Sequence, residues 1–248
     1  HKAKGMNNEI VLTFEEFGDE QFLKISNHNQ IRPFFMSIVS DSDHWMFISS
    51  NGGLSAGRKN AEYALFPYYT DDKITEFADI TGSKSIFRIG TEDGKVVWEP
   101  FSCRNLSNLQ TKNNIYKSIY GNKIIFEEIL IDLNLSFRYS WSSSDQYGFV
   151  KSAHLQNNGN QPLEITLLDG IQNIMPYGVT SDLQRASSHL VDAYKRSELH
   201  KASGLGIFAL SAIIVDKAEP SEALKSNIVW SRGLKDPTYL MSSLQLNA

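Results

Sequence analysis

The sequence has a single cysteine, Cys103, among 248 residues, so an intramolecular disulfide is excluded. Its longest apolar run, 207–215, is interrupted by Ser211 and is far too short to span a bilayer. The net charge is −4, so no global positive field would attract nucleic acid or an anionic membrane. We therefore expect no nucleic-acid and no membrane partner. We also expect cytoplasmic localisation if Met6 is the natural start, and export if a leader has been removed.

Motifs for metal, cofactor and nucleophilic catalysis are also scarce. The six histidines are scattered, no pair has the i, i+4 spacing of a helical zinc site, and the cysteine lies near none of them. The glycine-rich stretch at 51–59 lacks the spacing and the Ser/Thr of a phosphate-binding loop. No GxSxG elbow is present for a serine nucleophile. We predict neither a metal site nor a cofactor.

What the sequence does have is alternation. From Ile131 to Trp141 every second residue is apolar, and a polar residue lies between each pair. Successive side chains of a strand point to opposite faces, so this spacing predicts a strand with one buried and one wet face. A helix would distribute the same apolar residues around its circumference.

Similar short segments recur, separated by polar turns at 121–122 and 157–162. The predicted strands are 9–14, 21–26, 45–50, 84–90, 95–99, 115–120, a run from 123, 131–141, 149–156, 163–167, 188–196, 205–214 and 226–230. Short helices are predicted at 70–77, at 179–187 with Thr180 or Ser181 as the cap, and at 220–224. The pattern predicts an all-β fold, a large antiparallel β-sandwich (supersandwich) with a few short helices.

We divide the chain into three parts. Residues 1–29 carry amino-terminal strands, with 1–5 interpreted as a tag remnant or trimmed chain. Residues 30–233 form the supersandwich. Residues 234–248 open with Asp-Pro-Thr and continue with spaced apolar residues, which predicts the start of a truncated helical linker.

The least strand-like stretch, 51–73, holds the candidate sugar contacts. The aromatic rings in this stretch suit the apolar face of a sugar, and the charged groups beside them suit its hydroxyl groups. The candidate carbohydrate contacts are Arg58, Tyr68, Tyr69, Asp71 and Asp72. The alternative interpretation is that Phe66 and the tyrosines pack a long loop against the sheet.

Adjacent carboxylates occur at 15–16, 71–72 and 127–128, and we interpret all six as solvated surface groups. Glu127 and Glu128 would point to opposite faces of a strand, so they cannot form the facing carboxyl pair of a glycosidase together. An epimerase-type acid and base would combine a histidine with a glutamate: His154 with Glu127 or Glu128, or His189 in place of His154.

Several segments resemble, in order, the amino-terminal domain of glycoside phosphorylases of the cellobiose phosphorylase kind. They are FISSNGGLSAGR, VVWEPFSCRN, EEILIDLNLSFRYSW, VKSAHLQNNGNQPLEITLLDGIQ, YKRSELHKASGLGIFALSA and SNIVWSRG, within residues 30–233. AEYALFPYYTDDKI has no counterpart that we can place.

The resemblance implies a galactose mutarotase-like supersandwich in front of a C-terminal (α/α)₆ catalytic barrel, which would supply the catalytic residues. It also implies a homodimer and oligosaccharide as a ligand at the rim of the active site. The function expected from the sequence is thus a non-catalytic domain of a glycoside phosphorylase or hydrolase. The alternatives are a stand-alone aldose-1-epimerase-like enzyme and a carbohydrate-binding module.

Overall fold

The computed structural model describes residues 9–68, 71–92, 94–102, 104, 108–212, 225–242 and 245. The strands are β1 (Val11–Phe17), β2 (Glu20–Ser26), β3 (Phe35–Ile38), β4 (His44–Ser49), β5 (Leu54–Arg58), β6 (Gly82–Thr91), β7 (Gly94–Trp98), β8 (Thr111–Ser118), β9 (Lys123–Leu130), β10 (Leu135–Ser144), β11 (Gly148–Asn157), β12 (Ile165–Gln172), β13 (Lys195–His200), β14 (Leu205–Leu210) and β15 (Asn227–Val229). The helices are α1 (Asp71–Ile74), α2 (Ser181–Ala186) and α3 (Ser188–Tyr194). The predicted class, an all-β antiparallel sandwich with a few short helices, is confirmed.

The contacts divide the chain into two compact units. Unit 1 comprises His1–Leu54 and Thr70–Ile171, and unit 2 comprises Ser55–Tyr69 and Gln172–Ala248. The domain boundaries predicted at residues 29 and 233 stay predictions. In the described part of the predicted linker, residues 234–241 hold no helical turn, whereas Gln245 is 3-10 helical and donates its backbone N–H to the Ser242 carbonyl oxygen at 3.1 Å. The helix predicted at 220–224 lies outside the described residues.

A six-stranded antiparallel sheet in the order β1-β2-β8-β9-β10-β11 is the main element of unit 1. The turn predicted at 121–122 joins β8 to β9, with Gly121 at a φ of 73°. The strand predicted over 131–141 is wrong at its first four residues. Asn134 donates its backbone N–H to the Ile131 carbonyl oxygen at 3.2 Å and has a left-handed φ of 51°, which asparagine tolerates, so the chain turns before β10.

The apolar face of this sheet covers the core of unit 1. Phe137, Tyr139 and Trp141 lie on it, and each is at most 3% exposed. A second sheet, ordered β12-β6-β7, packs against that face, since the ring centroids of Phe87 on β6 and Phe137 lie 5.0 Å apart edge to face. The period-two spacing therefore does mark a buried face, as the sequence predicted.

A buried ion pair joins the two layers. Lys151 on β11 is almost fully buried, and its Nζ lies 2.7 Å from an Asp169 carboxylate oxygen on β12. The Ser85 hydroxyl on β6 donates to the same oxygen at 2.6 Å. Burial lowers the pKa of Lys151, and the carboxylate of Asp169 acts in the opposite direction.

The opposite face of the six-stranded sheet carries a polar cluster around Glu127, which is 2% exposed. One carboxylate oxygen accepts from Asn114 and from the Tyr116 hydroxyl, both at 2.6 Å. The other accepts from Nε of Arg138 at 2.6 Å. Burial by itself would raise the pKa of Glu127, but the bonds from Tyr116 and Asn114 and the charge of Arg138 outweigh it and lower the pKa. The interpretation of Glu127 as a solvated group is wrong.

Unit 2 contains the sheet β13-β14-β15 and the two helices α2 and α3. Thr180 caps α2, as predicted, by accepting the Leu183 N–H at 3.1 Å. The strand predicted at 188–196 is wrong for residues 188–194, which form α3. Val191 of that helix is buried together with Met175 and Val179, so its apolar residues serve a helical face.

We expect Glu127→Gln to lower the free energy of unfolding by about 2–3 kcal/mol, because it removes the charge that Arg138 and the two neutral donors share. The pKa of Glu127 is lowered in the folded protein, so its contribution is complete above the ordinary carboxyl pKa and is lost as the pH falls below it. Urea unfolding at pH 7 and at pH 4 measures both effects. Glu16→Gln, at an exposed position of β1, is the control and should change stability by less than about 0.5 kcal/mol. An equal loss in both variants would contradict the prediction.

Candidate functional site

A cavity of about 460 Å³ lies in unit 1, within the size range of small-ligand pockets. Its wall comes from the 3-10 turn after β2, the loop after β7, and the neighbouring strands β8 and β9. The charged, amide and imidazole residues that line it are His28, Asn29, Asn51, Glu99, Arg104, Asn113 and Glu128. We call this the Glu128 cavity.

The register of the sheet brings two of these residues together. Asn113 on β8 is the direct cross-strand partner of Glu128 on β9, so both side chains point to the same face. With the Asn113 amide oriented so that its nitrogen faces the carboxylate, Nδ2 lies 3.0 Å from Oε2 of Glu128. Asn113 thus lies within hydrogen-bonding distance of Glu128 at the base of the cavity.

Glu128 is held on the core face by two further donors. Its Oε1 accepts from the indole N–H of Trp98 at 2.7 Å, and its Oε2 accepts from the backbone N–H of Phe101 at 2.8 Å. Burial raises the pKa of Glu128, while these N–H donors act in the opposite direction. Glu128 is 5% exposed, so its interpretation as a solvated surface group is wrong. It ties the loop after β7 to the sheet.

The loop after β7 also carries an ion-pair chain. The carboxylate of Glu99, 8% exposed, bonds to Nζ of Lys84 and lies 3.3 Å from Nη2 of Arg104. The Lys84 ammonium is a further 3.8 Å from a carboxylate oxygen of Asp79. Arg104 itself is more than half exposed at the cavity wall.

His28 is the buried imidazole of the cavity. It begins the 3-10 turn His28–Gln30, after Asn27, whose left-handed φ of 54° turns the chain. His28 is 5% exposed, and among the described residues its Nε2 has no hydrogen-bond partner. Burial lowers the pKa of His28 to about 4, so the imidazole is neutral at pH 7.

The remaining lining is mixed. Hydroxyl groups come from Ser50, Ser102 and Thr111, aromatic rings from Trp98 and Phe101, and aliphatic surface from Ile31, Pro33, Val97 and Leu109. A cavity that combines such side chains with amides and a neutral imidazole suits a ligand that has both apolar surface and hydroxyl groups.

Of the five sugar contacts predicted from the sequence, Arg58 and Tyr68 are not among the residues that line this cavity. Arg58 is exposed at the end of β5, and Tyr68, 41% exposed, donates its backbone N–H to the side-chain oxygen of Gln184 at 2.9 Å. Tyr69 lies outside the described residues, and Asp71 and Asp72 begin α1, with side chains outside the described part of the structure. A sugar site built from these five residues stays a prediction.

The alternative interpretation of the same stretch holds in part. Phe66 is 1% exposed and therefore packs in the interior, whereas Tyr63 and Tyr68 are both more than 40% exposed. Among the described residues after β5, Phe66 is thus a buried aromatic anchor.

The epimerase pair proposed from the sequence can also be located. His154 is exposed on β11 and is the cross-strand partner of Arg138, which is in turn the partner of Glu127. Arg138 therefore stands between His154 and Glu127, and Glu128 points to the other face. His154 does not line the Glu128 cavity.

Sequence analysis missed the residues of the cavity because only one local pattern in the sequence points to any of them. In the segment KIIFEEIL, apolar residues flank the two glutamates on both strand faces. Charged residues between two apolar faces indicate buried carboxylates, which need partners. Nothing local indicates that His28, about a hundred residues earlier, belongs to the same site.

A scan against family models finds no match for this chain, and a search of curated proteins finds none. Among the described residues, no three His, Cys, Asp or Glu side chains are grouped so that they could hold a metal ion. None of the described helices has the length and apolar character needed to cross a membrane.

We expect acid to destabilise the protein through His28. The pKa of His28 in the folded protein, about 4, lies below the ordinary 6.5. Between these values the unfolded chain binds the proton and the folded chain does not, so the free energy of unfolding is unaffected above pH 6.5 and falls as the pH drops towards 4. The complete loss in the free energy of unfolding through His28 corresponds to about 3 kcal/mol. Urea unfolding between pH 7 and 4.5 should therefore show a smaller loss for His28→Leu than for the wild type. His154→Gln, at an exposed histidine, is the control and should keep the wild-type dependence. Parallel pH profiles for wild type and His28→Leu would contradict this prediction.

Proposed function

We propose that this chain is a non-catalytic β-sandwich domain of a carbohydrate-active protein, and that its Glu128 cavity binds a saccharide. The observation that carries the proposal is the composition of the cavity. Amide, imidazole and carboxylate groups stand beside apolar side chains, which is the mixture that sugar hydroxyls and sugar C–H surfaces require.

The bonding of Glu128 supports a structural role for the carboxylate. Both of its oxygens accept hydrogen bonds, from Trp98 and from Phe101, and Asn113 lies in reach of one of them. A general acid or base needs an oxygen within hydrogen-bonding reach of the substrate proton. An oxygen that is already bonded to the protein is poorly placed for that task. Glu128 therefore shapes the wall of the cavity.

The wider assignment follows from the same proposal. A β-sandwich that binds a sugar but supplies no catalytic group fits a supporting domain of a glycoside phosphorylase or hydrolase. The catalytic groups would then belong to a C-terminal (α/α)₆ domain, and a homodimer is a further expectation of this proposal. A carbohydrate-binding module has the same cavity chemistry and differs only in what is joined to it.

Calorimetric titration with cello-, xylo-, malto- and laminari-oligosaccharides tests the binding. Val97 lines the cavity and is 42% exposed, so Val97→Arg introduces a long charged side chain there without disturbing the core. We expect saccharide binding to the wild type and a loss of at least about tenfold in affinity for Val97→Arg, since each tenfold change corresponds to about 1.4 kcal/mol.

Val11→Arg is the matched control. Val11 is also 42% exposed, but it lies on β1 and does not line the cavity. It should bind as the wild type does. Equal weakening in both variants would move the site away from the Glu128 cavity, and flat titrations for every oligosaccharide would refute saccharide binding.

One observation favours a second candidate function, an aldose-1-epimerase-like activity. His28 and Glu128 line the same cavity, and burial shifts the pKa of the imidazole downward and that of the carboxyl upward. Divergent shifts of this kind assign a base and an acid.

Polarimetry of freshly dissolved α-glucose and α-galactose separates the two functions. Our proposal expects mutarotation at the rate of the buffer alone. Acceleration by the protein that disappears in Glu128→Gln and persists in Glu127→Gln would establish the epimerase instead.

A further inference from the structure

We propose that β1 is an interface to a second copy of this chain. In the dimer, β1 pairs with β1 of the second copy in antiparallel orientation around a twofold axis, so that the six-stranded sheet continues across both copies. The inference assigns a surface to the homodimer expected above. It does not rest on saccharide binding, because no residue of β1 lines the Glu128 cavity.

The backbone of β1 is the first observation. β1 is the edge strand of its sheet and, in the described part of the chain, pairs only with β2. An antiparallel edge strand directs the N–H and C=O groups of every second residue away from its sheet, where another strand can bond them. Lysine, proline or a bulge usually protects such an edge. The strand VLTFEEF contains neither lysine nor proline and pairs with β2 one to one along its whole length, so its edge is regular and unprotected.

The side chains beside this edge are apolar and uncovered. Leu12 and Phe14 are 63% and 67% exposed, and Leu23, the cross-strand partner of Phe14, is 36% exposed. They lie on the core face of the sheet, since Leu12 is opposite Ile25, which is itself opposite the buried Ile115. The core face therefore continues without cover to the free edge.

The other edge of the same sheet differs. In β11 the large apolar side chains, Phe149, Val150 and Leu155, are all partly covered. Uncovered apolar surface at an edge is thus a property of β1, and exposed apolar surface of this kind marks interaction sites.

The sequence of β1 is complementary to itself. When Thr13 lies opposite Thr13 of the second copy, Leu12 lies opposite Phe14 of the second copy on the core face. The twofold axis repeats this contact, so four apolar side chains meet. An isologous contact of this kind joins two copies and closes, whereas a contact between two different edges would continue into a filament.

Charge selects this register. In it no two carboxylates face each other, Glu16 lies opposite residue 10, outside the strand, and Glu15 is compensated by Nζ of Lys24 at 2.7 Å. The neighbouring registers with matched faces bring Glu16 opposite Leu12 in one direction and Glu9 opposite Glu15 in the other. A carboxylate facing an apolar side chain or a like charge destabilises a strand pair.

Analytical ultracentrifugation over a dilution series tests the dimer. We expect the wild type to reach twice the mass of the chain, and Phe14→Lys to raise the dissociation constant of the dimer at least tenfold, because it sets an ammonium group beside Leu12 of the second copy. Phe14 is mostly exposed, so the melting temperature of the diluted, monomeric protein should not change. Tyr147→Lys, at an aromatic residue that is 54% exposed in the turn between β10 and β11, is the matched control and should dimerise as the wild type does.

Disulfide trapping tests the register. Cys103→Ser removes the single cysteine, and Thr13→Cys is then introduced into that background. The pairing places the two Cβ atoms of residue 13 about 4.5–5.5 Å apart, from which a small adjustment forms a disulfide. Glu16→Cys in the same background is the control, because the two copies of residue 16 lie about 20 Å apart along the paired strands. Mild oxidation should therefore give a covalent dimer with Thr13→Cys and monomer with Glu16→Cys.

A wild type that stays monomeric throughout the dilution series would overturn the inference, and so would a dimer that Phe14→Lys does not weaken. Equal trapping at both positions, or trapping at neither, would overturn the register. Each of these results leaves saccharide binding in the Glu128 cavity standing, and flat saccharide titrations would leave the dimer standing.

Discussion

The architecture depends on two adjacent buried carboxylates, each of which is paired with hydrogen-bond donors. Glu127 and Glu128 follow each other on β9 and point to opposite faces of the sheet, where each is at most 5% exposed. An isolated buried carboxylate is unstable unless donors surround it. Two adjacent asparagines on β8 lie directly opposite, Asn114 beside Glu127 and Asn113 beside Glu128. A slip of one residue would separate both pairs and move each carboxylate to the wrong face, so these four residues fix the register.

The two faces use this arrangement differently. On the outer face, Glu127 joins Tyr116 and Arg138 into a polar cluster that ties β8, β9 and β10 together. On the core face, Glu128 bonds to Trp98 and to the backbone of Phe101, and so holds the loop after β7 against the sheet. The ring of Phe101 in that loop also packs edge to face on Tyr139, with ring centroids 5.2 Å apart.

The bonding of Glu128 is also the reason why we propose that the domain binds a sugar and does not transform it. The carboxylate that faces the cavity is bonded to Trp98 and Phe101, whereas Nε2 of His28 is buried and has no hydrogen-bond partner among the described residues.

The class of fold could be predicted from the amino-acid pattern alone, because the alternation of side chains along a strand is a local property of the backbone. The pattern also placed Glu127 and Glu128 on opposite faces, but the period of a strand does not reveal whether both faces are covered. That is why their burial escaped prediction, and why α3, whose apolar residues also fit a short strand, was assigned wrongly. That His28 and Glu128 line the same cavity is visible only in the folded chain, because the proximity of residues a hundred positions apart depends on how distant segments pack and leaves no mark in local spacing.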